Sequence, residues 1–286
     1  MKYRLCFLLI FLLLFNISKN YSQKNPTNKT IILKMLDSID AHNQIRFEMY
    51  RSERNQDGEY IEGKFNSKLQ NKPYKIYAKM GSPKEGAEIL YVEGENDNKA
   101  LVNPNFFPYI SLSFDPLGSL LKADGHHNIK EAGFNLFSKM IKNHIKRYDS
   151  SFYKLTTYEG VFNWNDRKCH KITINYKDYD IINYKCKKGE TLSEIANKNL
   201  INLAKLRYLN PDINDGKKLN EYQTIKITSV YCEKSILFID NENYFPIYQL
   251  IYDEKGLFEK YIFTKINLNT PISSKEFKRD YTEYDF

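Results

Sequence analysis

Tryptophan occurs once in these 286 residues, and cysteine, proline and glycine number only four, nine and twelve. Each scarcity excludes a class of protein. So few glycines and prolines rule out a collagen-like repeat and a Gly/Pro-rich low-complexity chain. Four cysteines are too few for a small disulfide-stapled scaffold. Cys6 sits inside an N-terminal apolar run, which leaves Cys169, Cys186 and Cys232, an odd number that permits at most one internal bridge. Their spacings of 17 and 46 residues match no zinc-binding pattern. Long apolar runs are also missing. The one that exists, from Leu5 to Phe15, spans 11 residues, short of the roughly 20 that cross a bilayer.

Lys2 and Arg4 precede that run, and the Asn-Tyr-Ser-Gln segment ending at Gln23 follows it. This is the pattern of a secretory signal peptide over residues 1–22, cleaved after Ser22. Cys6 lies within the run rather than at its end, so it is not placed as a lipid-attachment cysteine. The expected product is an exported chain with no transmembrane segment. Net charge is +8, and loss of the leader removes Lys2, Arg4 and Lys19 but no acid. Residues 182–227 carry nine Lys or Arg against five Asp or Glu, a balance that suits an anionic polymer. No zinc-finger, recognition-helix or aromatic RNA-binding motif accompanies the charge, so nucleic acid is not an expected partner.

Aromatic residues are abundant instead, with 23 Tyr and 18 Phe. Ile32, Met35, Leu36 and Ile39 recur at helical spacing and predict an amphipathic helix over 28–42. From Gln44 to Phe114 short aromatic and β-branched runs alternate with Asp57-Gly58, Asn71-Lys72-Pro73, Gly81-Ser82-Pro83 and Gly94-Glu95-Asn96, the punctuation of an antiparallel meander. Its last strand is expected over Tyr109 to Phe114. Ile129 to Tyr148 returns to helical spacing, Thr156 to Asn163 and Lys171 to Tyr176 to strand. Three more strands follow near 235–240, 245–253 and 260–266. The fold class is therefore α+β, an antiparallel sheet with packed helices.

Between these strand-rich stretches, residues 182–227 have a layout of their own. Ile182 to Cys186 reads as a strand closed by Lys188-Gly189. Thr191 and Glu194 stand at capping-box spacing ahead of a short helix with Leu192, Ile195 and Ala196 on one face. Asn202 caps a second helix carrying Leu203, Leu206 and Leu209, which Pro211 ends. Gln223 to Ile227 is the returning strand. The simplest organisation is one sheet domain, 23–181 and 228–286, with this βααβ module inserted in a hairpin.

The motifs Gly189-Glu190-Thr191-Leu192 with Ile195-Ala196, then Leu206 and Leu209-Asn210-Pro211, resemble the lysin motif (LysM). The closing strand departs from that pattern, since Tyr222 to Thr228 lacks its Gly and Pro. The resemblance implies binding of N-acetylglucosamine glycans, peptidoglycan above all, in a groove between two loops. Here those are Gly189, Glu190, Thr191 and Leu192, and Asn210, Pro211, Asp212 and Ile213. The helix, meander, helix and further strands resemble the half-barrel of periplasmic lipoprotein carriers. A fuller resemblance is to an uncharacterised family of exported bacterial proteins that joins such a curved sheet to an inserted lysin motif. It is carried by Gly86 to Gly94, Asp115-Pro116, Asp253 to Tyr261 and Glu276-Phe277. It implies a periplasmic or envelope location and no established activity.

Catalytic constellations are missing as well. Cys169-His170 is the one adjacent Cys and His pair, and neighbours on a strand point to opposite faces. Asp124-Gly125-His126-His127 offers metal-ligand types, but no Glu or further His recurs at ligand spacing, so no metal is expected. His144 falls on a helix stripe as a packing residue, and no pair of carboxylates is placed for glycoside cleavage. The expectation is a non-enzymatic, cofactor-free envelope protein that binds peptidoglycan through 182–227. The alternative is a carrier or binder of lipid or lipoprotein on the concave face of the sheet.

Overall fold

The computed structural model describes residues 26–118, 121 and 125–286. The expected leader and Asp124 lie outside them. Helix α1, Asn28–Ala41, starts where Thr27 Oγ1 accepts the Thr30 N–H, and it buries Ile31, Ile32, Met35, Leu36 and Ile39 as one stripe. The strands β1 Gln44–Arg54, β2 Tyr60–Gln70, β3 Lys75–Met80, β4 Glu88–Val92, β5 Ala100–Asn103 and β6 Leu112–Phe114 form the meander. After helix α2, Asn135–Tyr148, come β7 Thr156–Trp164 and β8 Arg167–Asn175. A smaller unit follows: β9 Ile181–Lys185, α3 Leu192–Asn199, α4 Leu203–Leu209 and β10 Thr224–Thr228. Strands β11 Lys234–Asp240, β12 Pro246–Asp253 and β13 Gly256–Asn267 complete the chain's sheet elements.

Eleven strands make one sheet in the order β6-β5-β4-β3-β2-β1-β13-β12-β11-β8-β7, while β9 and β10 pair separately. The pairings are antiparallel, and β1 against β13 closes the first meander onto the end of the chain. The result is the α+β class expected, a curved antiparallel sheet with helices against it. Helices α1 and α2 share one core with the inward residues of β1, β8, β11, β12 and β13, including Phe47, Ile172, Leu237, Ile247 and Phe263.

Two expectations are corrected. The helix read as continuous from Ile129 is a 3-10 turn, Ile129–Glu131, followed by α2. Gly133 separates them at φ 86°, and a Cβ there would meet Leu69 Cδ2 at 2.4 Å, so the chain turns where only glycine fits. The strand read from Tyr109 shrinks to Leu112–Phe114, and 104–111 is a loop. Pro104 and Pro108 have no N–H to give a ladder, and Asn103 Oδ1 accepts the Asn105 N–H at 2.9 Å to turn the chain away.

Strands β8 and β11 pair directly, so residues 181–228 occupy the connection between two neighbours. That unit has its own cluster of Leu192, Ile195, Leu206, Leu219, Ile225 and Ile227. Thr191 and Glu194 form a reciprocal capping box at the start of α3. The unit is fastened to the large sheet by buried polar contacts from α4 and its cap. Asn202 Nδ2 donates to Glu259 Oε1 at 2.7 Å, and Lys205 Nζ lies 2.7 Å from Asp253 and 2.5 Å from Glu254. Arg54 shares Asp253, which holds that carboxyl below its usual range although burial opposes the charge.

Candidate functional site

Alternation along the strands builds one wall of the site. Phe47, Met49, Arg51 and Glu53 project from the same face of β1. Across the ladder Met49 stands opposite Phe65 and Phe263, Arg51 opposite Tyr261, and Glu53 opposite Glu259. The row continues outward through Ala78, Ile89 and Val102 of β3, β4 and β5. Ile129, Leu136, Phe137 and Met140 lie over it. Between wall and roof is a cavity of about 720 Å³, within the roughly 300–1,000 Å³ of known ligand sites. Most of its lining is aliphatic or aromatic. Of its polar lining residues, Arg51, Glu53, His127, Glu131, Tyr231, Glu259 and Tyr261 form one connected group, and Ser67, Lys84, Glu85, Asn105, Asn128 and Gln249 are polar as well.

Glu53 and Glu259 are direct cross-strand partners and both are buried. Like charges so placed repel, and the protein answers with a shell of donors. The His126 backbone N–H donates to Glu53 Oε2 at 3.0 Å, and the ring Nδ1 stands 2.7 Å from Glu259 Oε1. His126 Nε2 stands 3.1 Å from Arg54 O. Both neighbours of the ring are acceptors. Arg51 pairs with Glu53 at 2.9 Å, and Tyr261 donates its hydroxyl to the same carboxylate at 2.6 Å. Tyr231 and Asn202 donate to Glu259 at 3.0 and 2.7 Å.

Burial disfavours the Glu259 charge, but hydrogen bonds from His126 and His127 outweigh it and hold the carboxyl far below the usual range. Burial likewise disfavours charge on His127, yet Glu131 and Glu259 raise it well above the ordinary histidine value. Burial and the adjacent carboxylates push Tyr231 and Tyr261 well up, which keeps them donors.

No Glu recurs at ligand spacing along the sequence around His126-His127, but the fold brings two carboxylates to that segment. Ligand atoms of Glu53, His126 and Glu259 fall within 4.8 Å of one another, close enough to hold a metal ion. The carboxylates come from strands 73 and 133 residues away from His126, which no local spacing reveals. Their oxygens already accept from Arg51, Tyr261, Tyr231 and Asn202, so the cluster is a closed hydrogen-bonded ion network.

The other candidate side chains take structural positions. Cys169, Cys186 and Cys232 are buried and free. Burial pushes the Cys169 thiol up to about 11, and His170 instead pairs through Nδ1 with the Tyr158 hydroxyl at 3.1 Å. His144 Nδ1 meets the Tyr176 hydroxyl at 2.7 Å, and burial lowers that ring to about 4.

The eight residues of the expected glycan groove are largely engaged by their own unit. The Gly189 N–H donates to Leu219 O at 2.9 Å, Thr191 caps α3, and Leu192 is fully buried. Glu190 takes the Lys187 N–H at 2.8 Å, the Tyr184 hydroxyl at 3.0 Å and Lys198 at 3.2 Å. Asn210 Nδ2 donates to Lys226 O at 2.7 Å while its Oδ1 accepts the Lys226 N–H at 3.0 Å. Pro211 and Asp212 are exposed. Pro211 and Ile213 line a cleft shared with Asn55 and Asp57 of the β1–β2 turn and Ile61 of β2 rather than with Gly189 to Leu192.

The sequence pattern of one family, DUF1571, described as proteins of unknown function, matches residues 42–230. The chain belongs to the DUF1571 family. No curated protein matches it. Among solved structures it is similar to the lipoprotein LppX of Mycobacterium tuberculosis at 9% identity and a TM-score of 0.39, covering 86% of this chain and 100% of that one. A LolA superfamily protein of Nitrosomonas europaea aligns at 12% identity and a TM-score of 0.35, over 89% and 99%. A chain of the MucA/MucB complex of Pseudomonas aeruginosa aligns at 10% and 0.42, over 87% and 59%. The family match takes in β1 through the smaller βααβ unit and ends just before Tyr231, so Glu259 and Tyr261 reach the cavity from outside it. Among the described residues no helix is long and apolar enough to cross a membrane.

Proposed function

We propose that this DUF1571 chain is a non-enzymatic binder or carrier of lipid or lipoprotein in the bacterial envelope, holding acyl chains in the cavity between the sheet and α2. The observation that carries this is the cavity itself, about 720 Å³ and walled by side chains such as Phe47, Phe65, Ile89, Phe137 and Phe263. A void of that size costs dispersion contacts on every surface, and hydrocarbon is the filler that asks for no hydrogen bonds. The export leader read over 1–22 supports an envelope location.

Ala78 lies in the middle of the wall and is buried, so Ala78→Trp places an indole in the acyl space. In a titration with a fluorescent fatty acid, the wild type binds saturably. The variant, checked for fold by circular dichroism, loses about tenfold or more in affinity, or about 1.4 kcal/mol. No saturable binding by the wild type, or equal binding by a folded variant, removes the proposal.

A second, compatible reading concerns residues 181–228. The strand, helix, helix and strand stand in the order of the lysin motif, with a separate core, and this supports a weak peptidoglycan contact at the exposed end of the unit. Sedimentation with purified peptidoglycan tests it. Retention that drops in a Pro211→Ala, Asp212→Ala variant supports the contact, and retention of neither protein ends it.

A further inference from the structure

Apart from the cavity, the feature of the molecule that its own fold does not explain is the loop between β5 and β6. Phe106, Phe107, Tyr109 and Ile110 of this loop are exposed by 62, 82, 66 and 52%, and Leu112 at the start of β6 by 45%. Single exposed apolar residues are ordinary, but five within seven positions make a patch of the kind that marks an interaction site. No Asp, Glu, Lys or Arg occurs between Lys99 and Asp115, and the two charged residues of the adjoining turn that line the same cavity, Lys84 and Glu85, are of opposite sign.

The base of the loop is fixed while its tip is bare. Asn103 is buried, and its Nδ2 donates to Asp285 O at 2.6 Å. Asn105 Nδ2 donates to Glu85 O at 3.1 Å, tying the loop to the neighbouring turn. The Tyr109 N–H closes a tight turn onto Phe106 O at 2.7 Å. The apolar side chains are thus held outward by a hydrogen-bonded stem instead of folding back onto the sheet.

Position identifies what the lip meets. Pro104, Asn105, Phe106 and Phe114 also line the apolar cavity, so the lip and the cavity mouth are one continuous surface. We propose that this loop inserts into the interfacial layer of a lipid bilayer and seats the cavity mouth against it. Aromatic side chains suit that layer because an apolar ring is accommodated beside wet headgroups. A lip almost without charge binds by apolar burial, so attachment is indifferent to headgroup charge and to salt. The purpose of the docking rests on the lipid-binding reading, but its measurement does not, since Phe107 and Ile110 lie outside the cavity lining.

The test is co-sedimentation of the purified protein with phosphatidylcholine vesicles at low and at high salt, beside a Phe107→Ser, Ile110→Ser variant prepared in the same form. Both positions are exposed, and circular dichroism checks that the variant folds. The expected result is attachment of the wild type at both salt concentrations and a fall of at least about tenfold in the variant. A Phe107→Trp variant adds a direct reading, a blue-shifted emission quenched by lipids brominated along the acyl chain. Equal attachment of wild type and serine variant, no attachment of either, or attachment abolished by salt overturns the proposal. So does a concentration-dependent dimer, seen by analytical ultracentrifugation without vesicle binding, that the serine variant loses. Failure here with intact fatty-acid binding in the Ala78 experiment removes the lip alone, and the converse removes the cavity reading alone.

Discussion

Glu259 shows at the level of one residue why the polar end of the cavity is ordered. It is a buried anion opposite another buried anion, and it stays charged because His126, Tyr231 and Asn202 converge on it. That arrangement sets the direction of the pH response. Carboxyls depressed in the folded state, Glu259 and Asp253 among them, contribute stability above their unfolded value near 4.5 or 3.8, and the contribution is lost as pH falls. Glu276, lowered to about 2 by Arg46, with Lys68 adding to it, acts in the same sense. His127 is raised, so its contribution is complete below the unfolded value near 6.5 and is lost as pH climbs through the folded value. His144, lowered to about 4 by burial, and His170, lowered by burial as well, act in the same sense as the carboxyls, because below about 6.5 the unfolded ring takes a proton that the folded ring resists. Stability should therefore peak near pH 6.5. Urea midpoints measured across pH check this, and His127→Gln should flatten the decline on the alkaline side. A decline unchanged in that variant assigns it to another group. Sequence reading found the two histidines but not their carboxylates, because cross-strand register joins residues that no window spans.

Helices and strands were more legible than the contacts between them. Hydrophobic alternation and turn residues placed the meander, and the Thr191 box placed α3, since each depends on neighbours in sequence. Tertiary demands decided what was missed. Gly133 breaks a helical pattern at φ 86° beside the buried Leu69, and Tyr109 to Ser111, expected as the start of a strand, belong to a loop. How α4 meets the large sheet was equally hidden. Lys205 is buried between Asp253 and Glu254, and removal of one partner from such a cluster costs about 3–5 kcal/mol. Lys205→Ala should destabilise the chain by an amount of that order, read from urea unfolding, and should speed amide exchange in α3 and α4 before the large sheet responds. Uniform acceleration across both sheets, or none, contradicts this view of the fastening.

At the scale of the molecule the curved sheet, the roof over it and the bare lip form one apolar surface that runs from the interior to the outside. The sequence made the class and the antiparallel order readable, but not a cavity, because a packed core and a cavity wall share the same alternation. Native mass spectrometry of protein purified without detergent from a lipid-containing host, paired with organic extraction of the sample, addresses the central claim most directly. The account predicts a bound species of acyl-lipid mass that is absent from Ala78→Trp. A wild-type protein that is empty in this experiment and stays empty after incubation with bacterial lipid extract contradicts it.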